Sequence, residues 1–207
     1  MTKNGSSAPS ITLTERLRQQ ANPLTTWFGE QGARLGIHPD VVTILGLLVV
    51  FVAAWIAAQG QFLLSGIVLI LGMPLDTLDG AIARAMNCQN RFGALLDSTL
   101  DRYADGAMFF GLAYYFAARG QLNEMILAIT ALIGAFAVSY VRARAEGLDI
   151  GSIKEGAFDR VVRTLILIAM LLTGLVVPGL VILAIGNHLT AIQRILIVYR
   201  ATRDEGK

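Results

Sequence analysis

Charge is scarce in this chain. Only 15% of its 207 residues are Asp, Glu, Lys or Arg, while 55% are hydrophobic, and a soluble domain carries about 25% charged residues. Too few polar groups remain to cover a surface facing water, so the solvent for most of this chain is lipid. The charges that exist are balanced, 17 basic against 15 acidic, which excludes a nucleic-acid-binding surface. A single cysteine, Cys88, excludes an internal disulfide. There are two histidines: His38, before the first apolar run, takes no role, and His188 reads as a hydrogen-bonded core residue rather than a ligand. The opening stretch lacks an apolar core behind a basic start, which argues against a secretory signal peptide. Collagenous, disordered and small disulfide-stapled classes are excluded as well.

Long apolar runs are what the chain does have. A bilayer core of about 30 Å is crossed by roughly 20 apolar helical residues. Six runs approach that length: Val41 to Gln59, Phe62 to Arg84, Phe92 to Ala118, Leu122 to Arg142, Val162 to Val177 and Leu180 to Val198. Pro39-Asp40 marks a helix start before the first, and Pro178-Gly179 is expected to make the tight turn between the last two. The fold class is therefore all-α integral membrane, with six transmembrane helices over 37–207. Residues 1–36 are expected to hold a polar tail from Met1 to Ser10 and an amphipathic segment broken at Pro23. In that segment Leu13, Leu17, Leu24, Trp27 and Phe28 alternate with Arg16, Arg18, Glu30 and Arg34. It reads either as an interfacial helix on the membrane surface or as a helix packed on its own protein. Of all lysines and arginines, only Arg119 falls on the side opposite both termini. The positive-inside rule then places the termini in the cytoplasm and the chain in the cell membrane as a multi-pass protein.

An ionisable group inside a membrane span marks function by default, and here the acids form a pattern. Asp76 and Asp79 share a face near the end of the second span, and Asp97, Asp101 and Asp105 share one at the start of the third. The loop between these spans is short, so the two acidic faces are expected to meet. Converging carboxylates need a positive partner. Ion pairs with Arg84, Arg91 and Arg102 would supply it without any chemistry. The spacing argues instead for hard divalent cations, Mg²⁺ or Mn²⁺, held by oxygen alone. Two such ions side by side suit phosphoryl transfer. Gly80, Ala83 and Gly93 accompany the acids and let a ligand or another backbone come close.

Together these residues read Asp76-x2-Asp79-Gly80-x2-Ala83-Arg84-x8-Gly93-x3-Asp97-x3-Asp101. The pattern resembles the signature of the CDP-alcohol phosphotransferase family at every defining position. The resemblance implies displacement of CMP from a CDP-linked lipid by an alcohol that attacks the β-phosphorus. It implies two Mg²⁺ or Mn²⁺ ions and a homodimer. Asp76, Asp79, Asp97 and Asp101 resemble the metal ligands, and Asp101 also matches the position of the general base. Asp79, Gly80, Ala83, Arg84 and Gly93 resemble the nucleotide contacts, with Arg84 near the CDP phosphates. Asp105 lies outside the signature, one turn deeper, and reads as a partner of the cluster rather than a ligand.

Arginines provide the second pattern. Arg142 and Arg144 end the fourth span, Arg160 and Arg163 start the fifth, and Gln193-Arg194 lies in the sixth. Five arginines beside a metal site exceed what a CDP-lipid needs. An acceptor with its own phosphate accounts for the surplus, because Arg binds phosphate bidentately; an ordinary cluster of positive-inside charge is the plainer account. The stretches Pro39-Asp40-Val41-Val42-Thr43 and Ser139-Tyr140-x-Arg142-Ala143-Arg144-Ala145-Glu146 are similar to phosphatidylinositol-phosphate synthases of actinobacteria and to archaetidylinositol-phosphate synthases. In that branch the acceptor is an inositol phosphate held in a basic pocket. Where the branch has Glu-Arg-Pro-Glu-Arg, this chain has Asp159-Arg160-Val161-Val162-Arg163, keeping both arginines without the proline and second acid. Glycerol 3-phosphate, as used by phosphatidylglycerol-phosphate synthases, is the alternative acceptor. Ion-coupled transport is the alternative of another class, but carriers place their sites near the bilayer midplane, and these acids crowd at one end.

Overall fold

The computed structural model describes residues 25–153 and 156–203, the side chain of Asp76 excepted. The polar tail, most of the amphipathic segment and its break at Pro23 lie outside the described residues. A short helix, α1 (25–34), precedes α2 (Pro39–Ala58), α3 (Phe62–Ala85), α4 (Arg91–Ala117), α5 (Leu122–Glu146), α6 (Arg160–Thr173) and α7 (Val176–Arg203). No strand occurs among the described residues.

Local chemistry sets several helix starts. His38 caps α2, its Nδ1 accepting from the Asp40 N–H at 3.4 Å, and Pro39 opens the helix where no N–H is needed. Asn90 caps α4 through the Gly93 N–H at 2.7 Å. Asp159 caps α6 through the Val162 N–H at 2.9 Å, its negative charge favoured at a helix N-terminus.

One boundary departs from the sequence reading. The break between the last two helices is at Gly174, which ends α6 with φ +74° in the left-handed region. Pro178-Gly179, expected to form that turn, lies inside the first turn of α7. The reason is that a first-turn residue has no intrahelical partner for its N–H, so proline is at home there. Glycine, by contrast, takes the left-handed cap without strain.

Four helices, α2, α3, α5 and α7, are long and apolar enough to cross a membrane. Of the rest, α4 and α6 differ for opposite reasons. α4 has 27 residues, but Asp97, Asp101, Arg102 and Asp105 interrupt its first half. α6 is apolar but has only 14 residues, about 21 Å at 1.5 Å per residue. Trp55, Leu71, Phe110 and Leu189 are each more than 60% exposed; in lipid, as opposed to water, such a surface carries no penalty.

Small residues hold the helices together, as expected where lipid cancels the hydrophobic drive between them. Gly72 of α3 sits against Val49 of α2, and Gly111 of α4 lies directly on the Ala54 carbonyl. Ser65 donates to the Ala53 carbonyl at 2.8 Å. The same contacts decide how the second and third spans, α3 and α4, are arranged. α2 packs against both α3 and α4, which scarcely touch, because its small face (Ala53, Ala54, Ala57) admits both neighbours closely. α5 and α7 run parallel. Asn187 donates to the Ala131 carbonyl at 3.1 Å and Arg194 to the Val138 carbonyl at 2.9 Å, so both helices advance together by seven positions between the two bonds. Gly134 leaves room for Asn187 and His188 between them. His188 is satisfied within α7, its Nδ1 lying 2.9 Å from the Ala184 carbonyl. α1 rests on the end of α3: Gly29 meets Ala81 and Gly32 meets Ile82, while Trp27 and Phe28 face outward and exposed.

Candidate active site

The N-terminal turn of α2, the C-terminal half of α3 and the first half of α4 carry the acids and their neighbours. Asp79 is 7% exposed, and its carboxylate is held on both oxygens. Thr43 of α2 donates its hydroxyl to Oδ2 at 2.7 Å, and the Gly80 N–H donates to Oδ1 at 2.6 Å. Such bonds fix the direction of a buried carboxylate. Thr43 had no assigned role in the sequence. The signal was its place, one turn into a helix whose start Pro39 marks, but a hydroxyl there more often bonds its own helix. It does that too, reaching the Pro39 carbonyl at 3.2 Å.

Asp97 and Asp101 stand one turn apart on α4, both half-buried. Gly93, a further turn back, faces α2: a side chain there would approach Asp40 Oδ1 to 3.8 Å. At Gly80 a side chain would meet the Arg84 guanidinium at 3.4 Å. A side chain at either position would make ordinary contacts, and glycine leaves that space beside the acids unfilled. Ala83 is half-buried and Arg84 exposed. Three acids and their glycines are therefore gathered at one end of the bundle. Among the described residues, without the Asp76 side chain, no three carboxylates converge closely enough to enclose an ion.

The arginines separate into different environments. Arg160 reaches Asp101 Oδ1 at 2.6 Å with about a third of its side chain exposed. Arg163 reaches Asp105 Oδ2 at 3.1 Å and is 5% exposed. Arg102 lies 3.9 Å from Asp101 and 3.6 Å from Asp105. The acids do pair with arginine, then, but chiefly with the two at the start of α6. Arg142 is turned to Glu146 on its own helix at 3.0 Å, and Ser152 donates to the same Glu146 oxygen at 2.6 Å. Arg144 is exposed. Arg194 is 3% exposed and bonded to α5. Of the five arginines singled out in the sequence, only Arg160 combines contact with the acidic site and access to solvent.

The segment before α6 explains how Arg160 gets there. Gly156 fits against Thr190 of α7 with no room for a side chain, and the Phe158 ring fills the space left by Gly186. Asp159 then caps the helix, and Arg160 follows at once. Sequence spacing within one helix does not reveal these partners, which come from different helices.

Residues 36–199 match the family model described as CDP-alcohol phosphatidyltransferase. An archaetidylinositol phosphate synthase of Pyrococcus horikoshii is 35% identical over 183 residues, covering 88% of this chain and 95% of its own. A phosphatidylinositol phosphate synthase of Streptomyces avermitilis is 37% identical over 185 residues, covering 83% and 76%. The crystal structure of Mycobacterium tuberculosis phosphatidylinositol phosphate synthase with CDP-DAG bound shares the fold at a TM-score of 0.79. It is 30% identical and covers 86% of this chain and 94% of that one. The same enzyme in complex with manganese and citrate gives a TM-score of 0.76 at 31% identity, covering 84% and 88%.

Proposed function

The chain belongs to the CDP-alcohol phosphatidyltransferase family, and we propose that it transfers a phosphatidyl or archaetidyl group from a CDP-linked lipid to a phosphorylated alcohol, inositol phosphate first among them. Its enzyme class follows from the family; the acceptor is our reading. That reading draws on relatives named for inositol phosphate products. The observation that carries it is Arg160, a solvent-accessible guanidinium held at the signature carboxylate Asp101. A phosphate on the acceptor would find there the one cation of the arginine set that touches both the acids and water.

The donor set, carboxylate oxygens only, fits a hard divalent ion. Asp76, Asp79, Asp97 and Asp101 would hold two Mg²⁺ or Mn²⁺ ions, which when bound supply neutralisation of the diphosphate and of the leaving CMP. The protein's residues do the rest. Thr43 fixes the Asp79 carboxylate. Gly80, Ala83 and Gly93 leave room for the nucleotide, and Arg84 faces its phosphates. Arg160 orients the acceptor by its phosphate. Asp101 takes the proton from the acceptor hydroxyl as that oxygen bonds to the β-phosphorus and the bond to CMP breaks.

In the same reading the six helices α2 to α7 all cross the bilayer, α4 with its acids turned inward and α6 as a short crossing. Parallel α5 and α7 agree with that alternation. Both termini and the site then face the cytoplasm, and the protein works as a homodimer.

The test is an acceptor panel. Purified protein in liposomes with CDP-diacylglycerol and Mg²⁺ or Mn²⁺ is given inositol 1-phosphate, free inositol, glycerol 3-phosphate or serine. CMP release with inositol 1-phosphate, abolished by EDTA, is the expected result. Preference for glycerol 3-phosphate would replace the inositol reading, and metal-independent turnover would remove the two-ion mechanism.

A further inference from the structure

Asp105 stands outside the signature, yet it has the most enclosed cationic partner in the site. Arg163 is 5% exposed on its side chain, donates to Asp105 Oδ2 at 3.1 Å and reaches the Phe158 carbonyl at 3.4 Å. Its Nε makes no hydrogen bond among the described residues. A guanidinium so enclosed is tolerable only with its carboxylate in place. Two pairs, Asp101 with Arg160 and Asp105 with Arg163, thus join α4 to α6 one turn apart on each helix. Among the described residues the backbones of the two helices otherwise approach each other little. The outer pair is open to water and the inner pair is closed.

We infer that Asp105 is a positioning residue for acceptor recognition: through Arg163 it holds the start of α6 against α4, and so holds Arg160 at the mouth of the site. The inference rests on the reading of Arg160 as the acceptor-phosphate contact. Arg163 grips both Asp105 and the Phe158 carbonyl, and Phe158 is in turn seated at Gly186 of α7. Besides the Arg160–Asp101 pair itself, the segment 156–163 is therefore an arm fastened at three places: Gly156 on Thr190, Phe158 on Gly186 and Arg163 on Asp105. The first two contacts are steric and the third is electrostatic. Releasing the third frees the end of the arm nearest Arg160 while leaving the donor side, at Gly80, Arg84 and Gly93, untouched.

The experiment uses the full chain in proteoliposomes. Asp105→Asn should raise the KM for inositol 1-phosphate about tenfold or more, the scale of one lost charge-assisted bond. The KM for CDP-diacylglycerol should change less than about twofold, within the spread expected for a site lacking direct contact. Because the variant leaves Arg163 buried and unpaired, Asp105→Asn/Arg163→Gln is made beside it to remove both charges. A purely structural pair predicts that this double variant, once stable, regains wild-type kinetics. The positioning role predicts that its acceptor KM stays high. Hydrogen exchange of the metal-free protein supplies a readout independent of turnover: amides in 156–163 should exchange faster in Asp105→Asn, with α2 and α3 unchanged. Equal KM shifts for both substrates, wild-type kinetics in the double variant, or unchanged exchange in 156–163 would each overturn the inference. If the wild-type protein used no phosphorylated acceptor, the function proposed above would fail, and the exchange result would still decide whether Asp105 fastens the arm.

Discussion

Asp79 and Asp101 both belong to the signature but are held by different means, and their substitutions should differ accordingly. Asp79 is fixed by the Thr43 hydroxyl at 2.7 Å. Thr43→Val keeps the shape and removes that donor. It should lower kcat by roughly tenfold or more, since hydrogen bonds to charged groups are worth about 1.5–3 kcal/mol, with the melting temperature little changed. In the proposed mechanism Asp101→Asn removes the proton acceptor, and general-base catalysis contributes about 10²–10⁴-fold. CMP release should fall by that order while CDP-lipid still binds, as followed by ligand-induced thermal stabilisation; a variant with wild-type turnover would remove Asp101 from the chemistry. The identities of the acids were legible in the sequence, because four-residue spacing on a helix is local information. Their partners were not. Asp105 and Arg163 are 58 positions apart, and no periodicity says which of several arginines a given carboxylate meets. Arg84 and Arg91 were equally plausible on charge alone, and it was the packing of α6 that placed Arg160 and Arg163 there instead.

At the scale of the helices, the apolar runs foretold the long elements to within a few residues, because a run long enough to span lipid has little other way to satisfy its backbone. They foretold neighbours less well. A short loop brings two helix ends together but does not press their lengths together, and the alanine face of α2 drew α3 and α4 to itself. The break between α6 and α7 shows the same limit for punctuation. Proline signals a turn or a first helical turn equally, and only the fold distinguishes them. Gly174→Ala should cost about 1–2 kcal/mol, since it forces a side chain into left-handed backbone. Pro178→Ala should stay within about 0.5 kcal/mol, as a first-turn proline gives up no hydrogen bond. Thermal unfolding in detergent compares the two directly, and the reverse order would return the break to Pro178.

For the molecule as a whole, sequence charge carries the orientation. In the proposed topology Arg119, held over the Tyr115 ring at 3.7 Å, stands opposite the other cations of the sequence. In a Cys88→Ser background, Arg203→Cys and Arg119→Cys should label from opposite sides of sealed vesicles, with Arg203→Cys reached from the cytoplasmic side. Labelling of both from one side would refute the six-crossing topology.

The length of α6 has a consequence for how the enzyme meets its lipid. At 14 residues it reaches about 21 Å, some two thirds of a 30 Å hydrocarbon core. In the six-crossing reading its first turn, with Arg160 and Arg163, ends below the plane where longer neighbours emerge. The floor of the site is then sunk towards the depth at which lipid phosphates lie. A donor can present its diphosphate without lifting its tails from the bilayer, so encounter takes place in two dimensions. Turnover should follow the mole fraction of CDP-lipid in the membrane. Diluting the donor with inert lipid at constant total concentration should slow CMP release in proportion, and a rate set by bulk concentration alone would show that the donor is taken from water.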